Sequence, residues 1–124
     1  MTTSILSDRI NAAAIRFLER QGYKIIDPAW DIAEGQTGIV ADDKGTLVFV
    51  ETAASQAGSD MPAEDESDES RRASEGAVAR WLATPQAAEF EDIPIRFDVI
   101  RVLVIGADRA LLRHHIGRFG IAAC

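Results

Sequence analysis

The chain has 124 residues, 47% of them hydrophobic and 27% charged, which fits one globular domain over residues 1–124 and excludes a disordered chain. Its formal net charge of −7 excludes a uniformly basic nucleic-acid binder, because phosphate binding is driven by Lys and Arg. The longest apolar run, Val99–Ala107, is too short for a membrane span, the first residues lack a secretion-signal pattern, and the single cysteine, Cys124, has no disulfide partner; these features predict a cytoplasmic protein without membrane association.

The charge is uneven. Asp60–Glu69 holds six acids and no base, so the rest of the chain is close to neutral and compatible with a local basic face.

In chain order, Ser4–Gln21 is expected to be a helix. Ile10, Ala13, Ala14, Phe17 and Leu18 recur at helical spacing, Ser7 or Asp8 suits its cap and Gly22 its stop. Arg9, Arg16 and Arg20 share another face of it, either a solvated stripe or a set of phosphate contacts. Tyr23–Asp27 reads as a short strand ended by Pro28. Thr37–Ala41 and Thr46–Glu51 pair as a hairpin around Asp42–Gly45, with Gly45 suited to a positive φ. Residues 55–70, poor in apolar side chains and rich in Gly, Ser and Asp, read as an acidic mobile loop within the domain.

A second helix is expected from about Arg71 to Ala83, with Ala77, Val78, Trp81 and Leu82 as its apolar stripe and Pro85 as its stop. Ile95–Ile105 is the longest strand. Its odd positions are apolar except Arg101; its even side begins with Arg96 and Asp98, predicting a half-exposed end, and then turns apolar. Gly106–Asp108 turns into a last strand, Ala110–Ile116. The order α-β-β-β-α-β-β predicts an α/β fold, a mixed central sheet flanked by helices.

Few constellations carry chemistry. His114 and His115 are adjacent in a strand, point to opposite faces and cannot chelate one ion together. Cys124 lacks a zinc pattern and reads as an inert thiol. Arg96 and Asp98, two apart on one strand face, form either an ion pair that fixes the strand end or a phosphate-contacting arginine held by its neighbour. Glu51 follows Leu47 and Phe49 along one face to the margin of the core. A carboxylate there is costly unless it binds a metal or finds donors, and Mg²⁺ would ask for a second acid beside it.

The succession RFLERQGYKII (16–26), Trp30, a hairpin ending TLVFVE (46–51), RFDVIRV (96–102) and HHIGRFG (114–120) resembles the YraN family from about Asp8 to Phe119. These are small bacterial proteins with a restriction-endonuclease-like fold, related to Holliday-junction resolvases. The resemblance implies a Mg²⁺-dependent phosphodiesterase site of the PD-(D/E)XK type. Its pattern has a helix-one glutamate, Gly-Glu-x-Asp entering the hairpin and Val-Glu-Val-Lys leaving it, with acids holding metal and the lysine stabilising charge. Matched position by position, the helix-one acid falls on Asn11. Gly-Glu-x-Asp falls on Gly35, Gln36, Thr37 and Gly38, and Val-Glu-Val-Lys on Val50, Glu51, Thr52 and Ala53. Of the charged residues in the pattern only Glu51 is kept, and one carboxylate does not readily dehydrate and hold Mg²⁺.

The resemblance with these replacements points to a catalytically inactive nuclease-like protein kept as a nucleic-acid-binding or protein-interaction module. Arg9, Arg16, Arg20 and Arg96 are its candidate nucleic-acid contacts, with no metal site and no cofactor. The enzyme alternative is a Mg²⁺-dependent DNA endonuclease in which Glu51 works with a migrated acid (Asp31, Glu34 or Asp42) and Lys24 or Lys44 replaces the lost ammonium. A third reading is a protein-binding scaffold whose acidic loop docks a basic partner. The expected partners are accordingly DNA, a protein, or a second copy of the chain paired through Ala110–Ile116.

Overall fold

The first helix, α1 (Thr3–Arg20), places Ile10, Ala14 and Leu18 on one side, where all three are buried. The structure, a computed structural model, describes residues 3–33, 36–56, 68–104 and 110–117. Because α1 begins at Thr3, Ser7 and Asp8 lie inside it and neither caps it. Gly22, at φ 93°, turns the chain out of the helix, as a residue without a Cβ readily does.

Strand β1 (Lys24–Ala33) runs on through Pro28, where the sequence predicted an end. The reason is its place in the sheet: β1 is an edge strand paired only to β2, so a residue without an N–H is tolerated there. The register shifts between Asp27 and Trp30, and Asp27 Oδ1 accepts the Ala29 N–H at 3.0 Å across the irregularity. Strands β2 (Gln36–Asp43) and β3 (Thr46–Gln56) form the expected hairpin, with Lys44 at φ 51° and Gly45 at φ 96° in its turn. Helix α2 (Asp68–Leu82) starts earlier than its apolar stripe suggested, and a 3-10 turn follows at Pro85–Phe90. Between β3 and α2 only residues 57–67 remain of the expected acidic loop, and these lie outside the described residues. Strands β4 (Ile95–Val104) and β5 (Ala110–His115) complete the fold; Cys124 lies outside the described residues.

The five strands lie in the order β1-β2-β3-β4-β5. All neighbours are antiparallel except β3 and β4, whose parallel pairing is made possible by the crossover through α2. Alternation along the central strands then feeds two cores. On the α1 face, Ile10, Ala14 and Leu18 pack with Ile39, Val48, Val50, Ile100 and Val102. On the α2 face, Trp30, Phe49, Trp81 and Phe97 pack with Ala77 and Val78. Trp30 meets Phe49 edge-on at 5.2 Å between ring centres, and Phe49 meets Trp81 at 5.6 Å. Both indoles keep a hydrogen bond in this core: Trp30 Nε1 donates to the Ala77 carbonyl and Trp81 Nε1 to Asp27 Oδ2.

This is the α-β-β-β-α-β-β order with a helix on each face, an α/β fold consistent with a restriction-endonuclease-like domain. One expectation about β4 is corrected in part: Ile95 and Arg96 at its polar end are half-buried as expected, but Asp98 is fully buried. Among the described residues no helix is long and apolar enough to cross a membrane.

Candidate functional site

The hairpin register sets Gly38 directly opposite Glu51. In β3, Leu47 and Phe49 belong to the core under α2, so by strand alternation Glu51 and Ala53 face that side too. In β2, Val40 lies in the same core, which places Gly38 and Gln36 there as well. Gln36 Nε2 donates to Glu51 Oε1 at 2.7 Å, so the neutral amide now hydrogen-bonds the remaining acid. At Gly38 there is no room for a side chain. A Cβ built there would overlap the Val50 carbonyl oxygen and come within 2.9 Å of the Trp30 ring and 3.0 Å of the Ile32 Cδ1. The space in which an aspartate would reach a metal is filled by core side chains.

Asn11 is on the other side of the sheet. Its Nδ2 donates to Thr37 Oγ1 at 3.0 Å, and its Oδ1 accepts from Thr52 Oγ1 at 2.7 Å. Thr37 and Thr52 alternate with Gly38 and Glu51, so this bridge ties α1 to the hairpin on the α1 face. The five positions matched to the family pattern are therefore divided: Gln36, Gly38, Glu51 and Ala53 on the α2 face, Asn11 on the α1 face.

Of the candidate migrated acids, Asp31 and Asp42 do not gather round Glu51. Asp31 is exposed and alternates with the buried Trp30 and Ile32, which turns it to the α1 side. Asp42 Oδ1 accepts the Gly45 N–H at 2.8 Å in the hairpin turn, and Lys24 is paired beside it at that same distant end. Lys44 is exposed in the turn itself, and Glu34 lies outside the described residues. Among the described residues no group of three or more His, Cys, Asp or Glu side chains is placed to hold a metal ion.

Arg96 has a different setting from the other candidate arginines. Its Nε and Nη2 donate to both oxygens of Asp98 at 2.9 Å, its Nη1 to Asp43 Oδ2 at 3.0 Å, and its Nη2 to the Tyr23 hydroxyl at 2.7 Å. Asp98 also accepts from His114 Nε2 at 2.8 Å and from the Gly117 N–H at 2.9 Å. Burial alone would raise the Asp98 pKa. The donors from His114, Arg96 and Gly117 outweigh that and hold it below its ordinary value near 3.8. The same partnership raises the Arg96 pKa, chiefly through the hydrogen bond to Asp98. Burial raises the pKa of the Tyr23 hydroxyl, against the lowering effect of Arg96. The cluster joins Tyr23 at the entry to β1 with β2, β4 and β5 and so fixes the strand end, as the ion-pair reading of Arg96 and Asp98 expects.

Comparison with known proteins matches residues 11–102 to the model of the uncharacterised protein family UPF0102. The chain is 33% identical over 119 residues to a UPF0102 protein of Geobacter sulfurreducens, covering 95% of this chain and 91% of that one. It is 34% identical over 91 residues to one from Pseudomonas savastanoi pv. phaseolicola, covering 73% of each. A UPF0102 protein of Myxococcus xanthus is 34% identical over 108 residues, covering 86% of this chain and 82% of its own length. The chain belongs to UPF0102, the YraN family.

Within this UPF0102 chain the arginines occupy both faces. Arg9, Arg16 and Arg20 are exposed on α1, on the opposite side of the sheet from Glu51. Arg101 is a residue that motif matching passes over. It pairs in register with Ala53 on β3 and with Arg113 on β5, which puts all three on the face that carries Glu51. Its signal in the sequence is a lone charge interrupting the longest apolar run, and its meaning depends on the parallel register of β3 and β4. His114 was likewise hidden: the sequence separates it from Asp98 by 16 residues, and only the β4–β5 pairing joins them.

Proposed function

We propose that this UPF0102 protein is a nuclease-like fold that binds nucleic acid without a metal ion and without cleaving it. The observation that carries this reading is Gly38. A β2 carboxylate beside Glu51 is what a Mg²⁺ site would need, and here Trp30, Ile32 and the Val50 carbonyl take up that space. Glu51 is hydrogen-bonded to Gln36 instead, and Ala53 offers no cation to a developing charge.

Nucleic acid is favoured as the partner because cations remain on both faces. Arg9, Arg16 and Arg20 form an exposed stripe on α1, and Arg113 is exposed on β5. The acids are concentrated in Asp60–Glu69, so the total charge does not describe these surfaces. The test is binding to short single-stranded, duplex and branched DNA in EDTA over a range of salt. Binding is expected to weaken linearly in log–log form as salt rises, because phosphate neutralisation releases counterions. No binding to any of these at low salt would refute the reading and leave the protein-partner alternative.

A further inference from the structure

The two edges of the sheet are built differently. Strand β1 carries the devices by which an edge avoids pairing with another chain. Pro28 has no N–H to offer, the pairing with β2 shifts register at three places, and Lys24, Asp27 and Asp31 put charges along the strand. Of the described strands, β5 ends the opposite side. It pairs with β4 through six successive partners without a shift and contains no proline, and Arg113 is its one permanent charge.

Apolar surface gathers at the same edge. Three large hydrophobic side chains are exposed among the described residues: Leu82 at the end of α2, Leu111 in β5 and Ile116 directly after β5. Leu111 is 56% and Ile116 61% exposed, against 37% for Leu82. Leu112 packs against the core under α1, so strand alternation turns Leu111 to the other face of the sheet.

A regular strand edge presents outward N–H and C=O groups that a further strand can complete. The chemistry of β5 selects the occupant. With one permanent charge it gives a charged segment little to hold, whereas an antiparallel copy of itself matches its donors and acceptors about a two-fold axis. Two-fold registers centred on Leu112 or on His114 keep Arg113 from facing Arg113. The first sets Leu112 against Leu112, and the second sets Leu112 against Ile116. In either register apolar residues meet across the new strand pair, the kind of contact that stabilises a sheet.

We propose that β5 is a self-association edge, through which two copies of this chain pair antiparallel and join their sheets into one. The pairing stands apart from the nucleic-acid reading, which needs no second copy.

The test is the mass in solution, measured on the full chain by sedimentation over a micromolar concentration range. The wild type is expected to reach the mass of two chains. Leu111→Lys combined with Ile116→Lys puts ammonium groups along the edge at exposed positions and should return the protein to the mass of one chain. Ala29→Lys, at an exposed position of β1, should leave the pairing intact. Hydrogen exchange of the wild type reads the same edge without any substitution: amides of β5 should gain protection as concentration rises, and those of β1 should not. Should the double variant fail to fold, that exchange result decides. A wild type that keeps the mass of one chain throughout overturns the proposal. A dimer that survives the double substitution, or one whose β5 exchange does not change with concentration, overturns it as well.

Discussion

At Gly38 the missing Cβ leaves the space to the Val50 carbonyl, the Trp30 ring and Ile32. Replacing one residue of a metal site usually leaves a gap that its reversal could refill. Here the Val50 carbonyl, the Trp30 ring and Ile32 occupy that space, so reversal meets steric overlap and a buried unpaired carboxylate. Gly38→Asp is therefore expected to destabilise the protein by about 3 kcal/mol or more in urea unfolding. Pairing it with Ala53→Lys should restore no metal binding. A Gly38→Asp, Ala53→Lys protein with wild-type stability and metal affinity would refute this account of the site. The substitution itself was legible in the sequence, because Gly38 stands where the family pattern has an acid. The packing around it was not, because nothing local to Gly38 says that Trp30, eight residues earlier, lands on the same face.

Among the elements, β4 is the one whose reading changed most. Arg96 and Asp98 looked like the exposed start of a strand, since two charges two residues apart usually mark a solvated face. Instead Tyr23 just before β1 and Asp43 from β2 hold Arg96, His114 from β5 reaches Asp98, and Asp98 is completely buried. Long-range partners of this kind leave no periodic trace in a single strand. Asp98 has a depressed pKa in the fold, so its stabilising effect is present in full above its ordinary value near 3.8 and is lost as pH falls through the folded value. The wild type should accordingly lose stability in urea unfolding as pH drops below about 4, and Asp98→Asn should flatten that part of the profile. At neutral pH the same substitution should cost about 3 kcal/mol, because it breaks a buried ion pair from one side. An Asp98→Asn protein with the wild-type acid profile would show that the cluster does not govern it. Strand β1 teaches a related lesson. Pro28 ends a central strand, but whether β1 is central or at an edge is set by the whole sheet.

For the molecule as a whole, the sheet separates two chemistries. The α1 face carries the arginine stripe, the Asn11 bridge to Thr37 and Thr52, and the Arg96 cluster; the α2 face carries Gln36, Glu51, Ala53 and Arg101. Element order and hairpin were legible from hydrophobic alternation and turn residues. Which helix covers which face was not, and that is why Asn11 could be grouped with Glu51 in the sequence although the sheet lies between them. The place of Arg101 was not legible for the complementary reason: only the parallel β3–β4 register sets it beside Ala53. The central claim is that this fold no longer holds a catalytic metal. Its most direct test is a titration with Mg²⁺ and then Mn²⁺, reading melting temperature and cleavage of branched and single-stranded DNA at high protein concentration, with Glu51→Gln alongside. The account predicts no stabilisation at sub-millimolar metal and no cleavage by either protein. A metal-dependent rise in melting temperature with cleavage, both lost in Glu51→Gln, would contradict it.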